Sequence, residues 1–286
     1  MTWKKIINEF LETDTGQNLK KSIASMRKEK TIYPEPQDVF VAFDETILPY
    51  EKTRIVIVGQ DPYPNGEANG YAFASKKSGI PKSLEIIFKE LHRSVYSYVG
   101  DETFKKWFAS PDLSKWHKQG ILSLNAVLTV EHGKPKSHWD MGWEEFLSIV
   151  LKKLNDHQDK LVFMLWGAKA HEYENLLDGN KHLVLKGAHP AADLYGTKRF
   201  VGCDHFKEAI NFLAKNNGYN RCLTGMFELY KYIDMDGLKK DYINSIVNNK
   251  AAVGFDPQKK LDELIQYLYD DYHLYGPFYL DLTTTT

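Results

Sequence analysis

Three side chains with distinct chemistry sit at the ends of apolar runs that are far apart in the chain. Asp61 follows "RIVIVGQ" (54–60), Asn125 lies inside "GILSLNAVLTV" (120–130), and His189 closes "HLVLKGAHP" (182–190). A carboxylate, an amide that can read a hydrogen-bonding edge and an imidazole that can stabilise an anion are joined by Phe73, a ring for stacking, and Tyr63, a bulky gate. That set suits a flat, polar, aromatic ligand. Asp61 alone says little, because Asp-Pro followed by Pro-Asn-Gly is also ordinary turn chemistry.

These side chains meet only if their runs are neighbouring strands. The segments 54–60, 120–130, 161–167 and 182–190 read as strands, and 83–95, 143–156 and 204–217 carry apolar residues at helical spacing. Strands of unbroken hydrophobicity separated by helices predict an α/β fold with a central, mostly parallel four-stranded sheet flanked by helices. Ligands of such sheets bind beyond the carboxyl ends of the strands. The ends at Gln60–Tyr63, Asn125, Gly167–Ala168 and His189–Pro190 therefore converge on one rim.

After "FLAKNNGYN" the chain becomes rich in Tyr, Asp and Asn, and Gly218 with Asn220 makes a junction. The expected organisation is a catalytic domain over 1–219 and a mainly helical accessory extension over 220–286. Residues 221–286 hold seven Lys/Arg against ten Asp/Glu, so the near-neutral net charge of −1 hides a mildly basic front part. A nucleic-acid ligand is neither announced nor excluded by that sum.

The 286 residues, 43% hydrophobic and 26% charged, suffice for a large core, which excludes a disordered chain. Two cysteines, Cys203 and Cys222, are too few for a zinc ribbon or an iron–sulfur cluster, so neither a metal nor another cofactor is expected. The start, "MTWKKIINEFLETD", reads as an amphipathic helix, its apolar run too short for a signal peptide. No window approaches the roughly 18 to 20 apolar residues of a membrane span. A monomer in the cytoplasm, or the nucleus of a eukaryote, is the expectation.

The segments "GQDPYPNGEANGYAFA", "ILSLNAVLTV", "VFMLWGAKAHEY" and "GAHPAADLYGTKRFVGCDHF" resemble, in order, the four signature segments of family 1 uracil-DNA glycosylases. The resemblance covers roughly two thirds of the chain. It implies hydrolysis of the N-glycosidic bond of deoxyuridine in DNA, single- or double-stranded, with uracil swung into a pocket. Asp61 then matches the catalytic carboxylate and His189 the group that hydrogen-bonds the uracil oxygen gaining negative charge. Asn125 matches the reader of N3–H and O4, Phe73 the stacking ring, Tyr63 the barrier to a C5 methyl, and Gln60 a position whose main chain faces the base or the water. Phosphate-gripping segments correspond to "GIPKS" with Pro81 and Ser83, "WGAK" with Gly167 and Ala168, and "HPAADLY" with Ala191. Leu194 resembles the apolar wedge that enters the base stack, with Tyr195 as the alternative. Lys82, Lys169, Lys198 and Arg199 are candidates for phosphate contact.

The match departs at Pro64, where most members have His, and at Ala168 and Ala191, where serines usually bind phosphate. The segment 189–203 is one residue longer than usual, and the extension after 220 has no counterpart in the family core. This leaves two rival readings: a glycosylase of the same fold directed at a modified pyrimidine, and a protein that holds a replication or repair partner through 220–286.

Overall fold

A computed structural model of the chain describes residues 1–97, 100–196 and 199–217. Compactness groups the described residues up to 97 and from 108 onward into one unit, apart from 100–107. The boundary expected near 220, the extension 220–286 and Lys198 lie outside the described residues.

The strands are β1 (Ile32–Tyr33), β2 (Ile55–Gly59), β3 (Ile121–Asn125), β4 (Val130–Glu131), β5 (Val162–Trp166) and β6 (Leu183–Gly187). The helices are α1 (Trp3–Leu11), α2 (Asp14–Met26), α3 (Lys82–Val95), α4 (Asp101–Phe108), α5 (Ser114–Lys118), α6 (Trp143–His157), α7 (Ala168–His171) and α8 (His205–Asn217). Four strands form one sheet in the order β3-β2-β5-β6, every neighbouring pair parallel. All residues of β2, β3 and β5 are buried, which requires cover on both faces and explains their unbroken hydrophobicity. Helix α1 packs on α6, while α3 packs on α8, which also lies against β5 and β6. Aromatic rings fill both layers: Phe10 and Phe43 meet Phe146, and Trp166 meets Phe200 and Phe206.

One expected element is corrected. The run 120–130 is not a single strand: β3 stops at Asn125, and Val130–Glu131 pairs antiparallel with Ile32–Tyr33 in a separate two-stranded sheet. The intervening residues 126–129 are buried like a strand but cross between the sheets. Hydrophobic continuity cannot tell a central strand from a buried crossing segment.

The parallel register sets the strand ends level. Gly59 faces Asn125, Val58 faces Leu165, and Trp166 faces Gly187. The loops leaving these strand ends therefore emerge on the same rim.

Candidate active site

Strand β2 ends in a residue without a side chain, and the space this leaves is used. A Cβ on Gly59 would lie 2.7 Å from Asn125 Oδ1, 3.1 Å from Phe73 Cε2 and 3.2 Å from Ala72 Cβ. The Asn125 amide and the Phe73 ring thus press into one slot at the sheet's end, and Asn125 is only 6% exposed. Past the strands two more ladder bonds form, from Ala126 N–H to Gly59 O and from Val127 N–H to Gln60 O, both 3.1 Å. The Gln60 carbonyl is thereby engaged, and its side chain hydrogen-bonds Asp61.

Asp61 is half-buried, and its Oδ2 accepts the Lys136 backbone N–H at 2.7 Å. Burial pushes its carboxyl above the ordinary aspartate value, opposed by the Lys136 N–H, the Lys136 charge and the Gln60 side chain. The Tyr63 hydroxyl donates a long bond of 3.4 Å to the Phe73 carbonyl, and Ser83 also hydrogen-bonds it. Burial raises that phenol, so it stays neutral. Phe73 itself has φ +65°, a left-handed conformation that costs a non-glycine residue about 1 kcal/mol or more. Its ring lies 5.6 Å from that of Trp166 and 5.8 Å from that of His189.

His189 follows β6 and opens the 3-10 turn Pro190–Tyr195. Its Nδ1 accepts the Ala191 N–H at 3.1 Å, so the neutral ring carries its proton on Nε2. Burial and then the Lys136 charge lower its basicity, both favouring the neutral form. Gly167, at φ +98°, gives the ring room: a Cβ there would stand 3.1 Å from His189 Cβ.

Five of the sequence-predicted residues, Asp61, Tyr63, Phe73, Asn125 and His189, thus gather around the ends of the strands. Ser83 reaches the same group through Tyr63. Pro81 immediately precedes α3, and Ala168 is the exposed first residue of α7, next to Gly167. The Ala191 amide is engaged by His189. Leu194 and Tyr195 stand at the surface, 44% and 78% exposed. Among the described residues, no hydrogen bond or ring contact joins Pro81, Ala168 or Leu194 to the slot.

Sequence reasoning gave no role to Gly59 or Lys136, and placed Trp166 only within the phosphate-gripping segment "WGAK" and not against Phe73. A glycine closing an apolar strand just before Gln60 was a usable signal, whereas Lys136 sits in a turn-rich stretch and gave none. The arrangement sets a carboxylate and a neutral N–H donor just past the carboxyl ends of strands of one sheet, with an aromatic ring and a buried amide between their loops. Such a site favours breaking a bond heterolytically, with positive charge developing near Asp61 and negative charge near His189. No helix among the described residues is long and apolar enough to cross a membrane.

The family model of the uracil DNA glycosylase superfamily matches residues 47–214. A uracil-DNA glycosylase of Fusobacterium nucleatum is 39% identical over 218 residues, covering 76% of this chain and 91% of the relative. One from Coxiella burnetii is 41% identical over 217 residues, covering 74% and 91%. The crystal structure of mimivirus uracil-DNA glycosylase superposes with a TM-score of 0.65 at 26% identity, over 75% of this chain and 83% of that one.

Proposed function

The chain belongs to the uracil-DNA glycosylase superfamily, and from that membership we propose how its own residues carry out the excision. The enzyme is a monofunctional glycosylase: it hydrolyses the bond between uracil and deoxyribose in DNA and leaves an abasic site for base excision repair. Extruding the base costs a few kcal/mol of stacking and pairing, which the slot must offset.

In our reading the extruded uracil stacks on Phe73 and presents N3–H and O4 to the Asn125 amide, which cytosine would leave unpaired. Tyr63 occupies the space that a C5 methyl would need. As the C1′–N1 bond breaks, its electron pair leaves with uracil and the sugar becomes cation-like. Asp61 stabilises that cation and orients the attacking water. The Nε2–H of neutral His189 hydrogen-bonds the departing uracil anion, so no full proton transfer is required. Ser83, the backbone around Pro81, Gly167 and Ala168, and Leu194 are assigned to the DNA strand itself. The extension 220–286, net acidic and therefore ill-suited to phosphate, is assigned to packing or to a protein partner.

The observation that carries the assignment is the meeting of Phe73 with both His189 and Asn125 at Gly59, beside a carboxylate whose Oδ2 is pinned. The test is uracil release from oligonucleotides holding one deoxyuridine. Asp61→Asn should keep its affinity for that DNA while kcat drops by about 10²-fold or more; a variant with full turnover would remove Asp61 from the chemistry.

A further inference from the structure

Lys136 belongs to no motif, yet it touches the catalytic carboxylate through its main chain. It lies in the loop between β4 and α6 with φ +67°, a conformation a lysine adopts only when its surroundings impose it. Its N–H donates to Asp61 Oδ2 at 2.7 Å. The side chain that leaves this fixed backbone is exposed.

Nearby lysines differ in one respect. Lys77 pairs with Glu67, Lys134 with Glu131 and Lys169 with Glu172. Among the described residues, no carboxylate lies within ion-pair distance of the Lys136 ammonium. Its charge is nonetheless felt by both Asp61 and His189. An unneutralised cation whose backbone is anchored on Asp61, and whose side chain faces solvent, marks the mouth of the site.

A flipped deoxyuridine brings its own anions to that mouth, because a phosphate flanks the sugar on each side. We propose that Lys136 grips a phosphate adjacent to the extruded nucleotide, so that the residue whose backbone sets Asp61 also holds the strand. The inference rests on the excision reading of the site. Coupling the two tasks in one residue has a physical merit. A bare ammonium beside Asp61 opposes the cation-like sugar, whereas one paired with phosphate does not, so the charge is compensated when substrate is present.

The test uses Lys136→Gln and Lys136→Ala, which keep the backbone N–H and alter only an exposed side chain. Each enzyme is assayed on a single-stranded uracil oligonucleotide, and on versions in which the phosphate immediately 5′ or 3′ of deoxyuridine is replaced by a neutral methylphosphonate. On unmodified DNA we expect KM to rise about tenfold with kcat within about twofold, as for loss of one charge-assisted bond. The slope of log KM against log salt should become shallower by about 0.7. One methylphosphonate should cost the wild type about tenfold in kcat/KM and cost the variants nothing further. Wild-type KM and salt slope in the variants, a fall in kcat alone, or losses that multiply for both methylphosphonates would each overturn the phosphate contact. Failure of the wild type to release uracil from every strand would strike the excision reading instead.

Discussion

The Cβ that Gly59 lacks would stand 2.7 Å from Asn125 Oδ1, closer than real Cβ contacts come, so the geometry of the Asn125 amide, to which we assign base reading, depends on an atom that is absent. Gly59→Ala should therefore displace the Asn125 amide or the Phe73 ring rather than unfold the sheet. We expect kcat/KM for uracil release to fall at least about tenfold, with the melting temperature within a few degrees of wild type. A Gly59→Ala enzyme with wild-type kcat/KM would show that Asn125 does not read the base. The contrast with Asp61 and His189 shows which residues sequence can reveal. Those two stand out because the chemistry we assign to them is in the side chain. Gly59 contributes a void and Lys136 a backbone N–H, and any residue type but proline can donate a backbone N–H, so neither contribution is written in residue identity alone. The strained φ of Phe73 is hidden in the same way, since it arises from contacts between segments distant in sequence.

The candidate site lies on loops that follow strands, and the loop after β6 is tied down at several points. Asp193 accepts the N–H groups of Phe200 and, at 3.0 Å, Val201, closing a loop that begins with Leu194 and Tyr195. Glu90, fully buried on α3, accepts Gly202 N–H at 2.7 Å and Asp204 N–H at 2.9 Å, and is held by Arg93 through two bonds of 2.9 Å. Helix α3 also packs against the turn Pro190–Tyr195. If Leu194 enters the base stack, this clamp is what lets it push. Glu90→Gln keeps the shape but loses one acceptor oxygen and the charge. It should destabilise the protein by about 1–3 kcal/mol and lower uracil release from duplex more than from single-stranded DNA, where there is no stack to enter. Equal losses on the two substrates would mean that the clamp serves stability alone. In sequence Glu90 looked like an ordinary polar position of a helix, although Arg93 three residues on was a hint. Helices α3, α6 and α8 and strands β2 and β5 were readable to within one residue because each has a strong period or an unbroken apolar run, whereas the runs 120–130 and 182–190 overshoot β3 and β6, and α2, whose polar residues blur its period, was not read. The short α5 and α7 have too few residues for any period to show, and the crossing segment 126–129 imitates a strand by being buried.

Across the molecule, buried histidines act as staples between elements, and this ties stability to pH. His117 on α5 accepts Ser123 N–H of β3 at 3.2 Å through Nε2. His182 accepts Leu161 N–H at 3.1 Å, and His205 on α8 accepts Trp166 Nε1–H of β5 at 3.0 Å, each through Nδ1. With His189, four imidazoles each receive an N–H, which a doubly protonated ring cannot do. Burial lowers the basicity of all four, that of His117 to about 3. In the unfolded chain these rings titrate near 6.5. Between that value and the folded one, the unfolded state binds protons that the folded state refuses. The stabilisation is complete above pH 6.5 and is lost progressively as pH falls, at about 1.4 kcal/mol per pH unit for His117 alone. Asp61, whose carboxyl is raised by burial, works in the opposite sense. Denaturant titrations at pH 7, 6 and 5 should show a steep decline. His117→Gln, which keeps an acceptor for the Ser123 N–H but cannot be protonated, should flatten that decline by about one proton's worth. An unchanged slope in His117→Gln, or a His117 imidazole NMR signal that titrates between pH 7 and 6 in the folded protein, would refute the staple as the source of acid sensitivity.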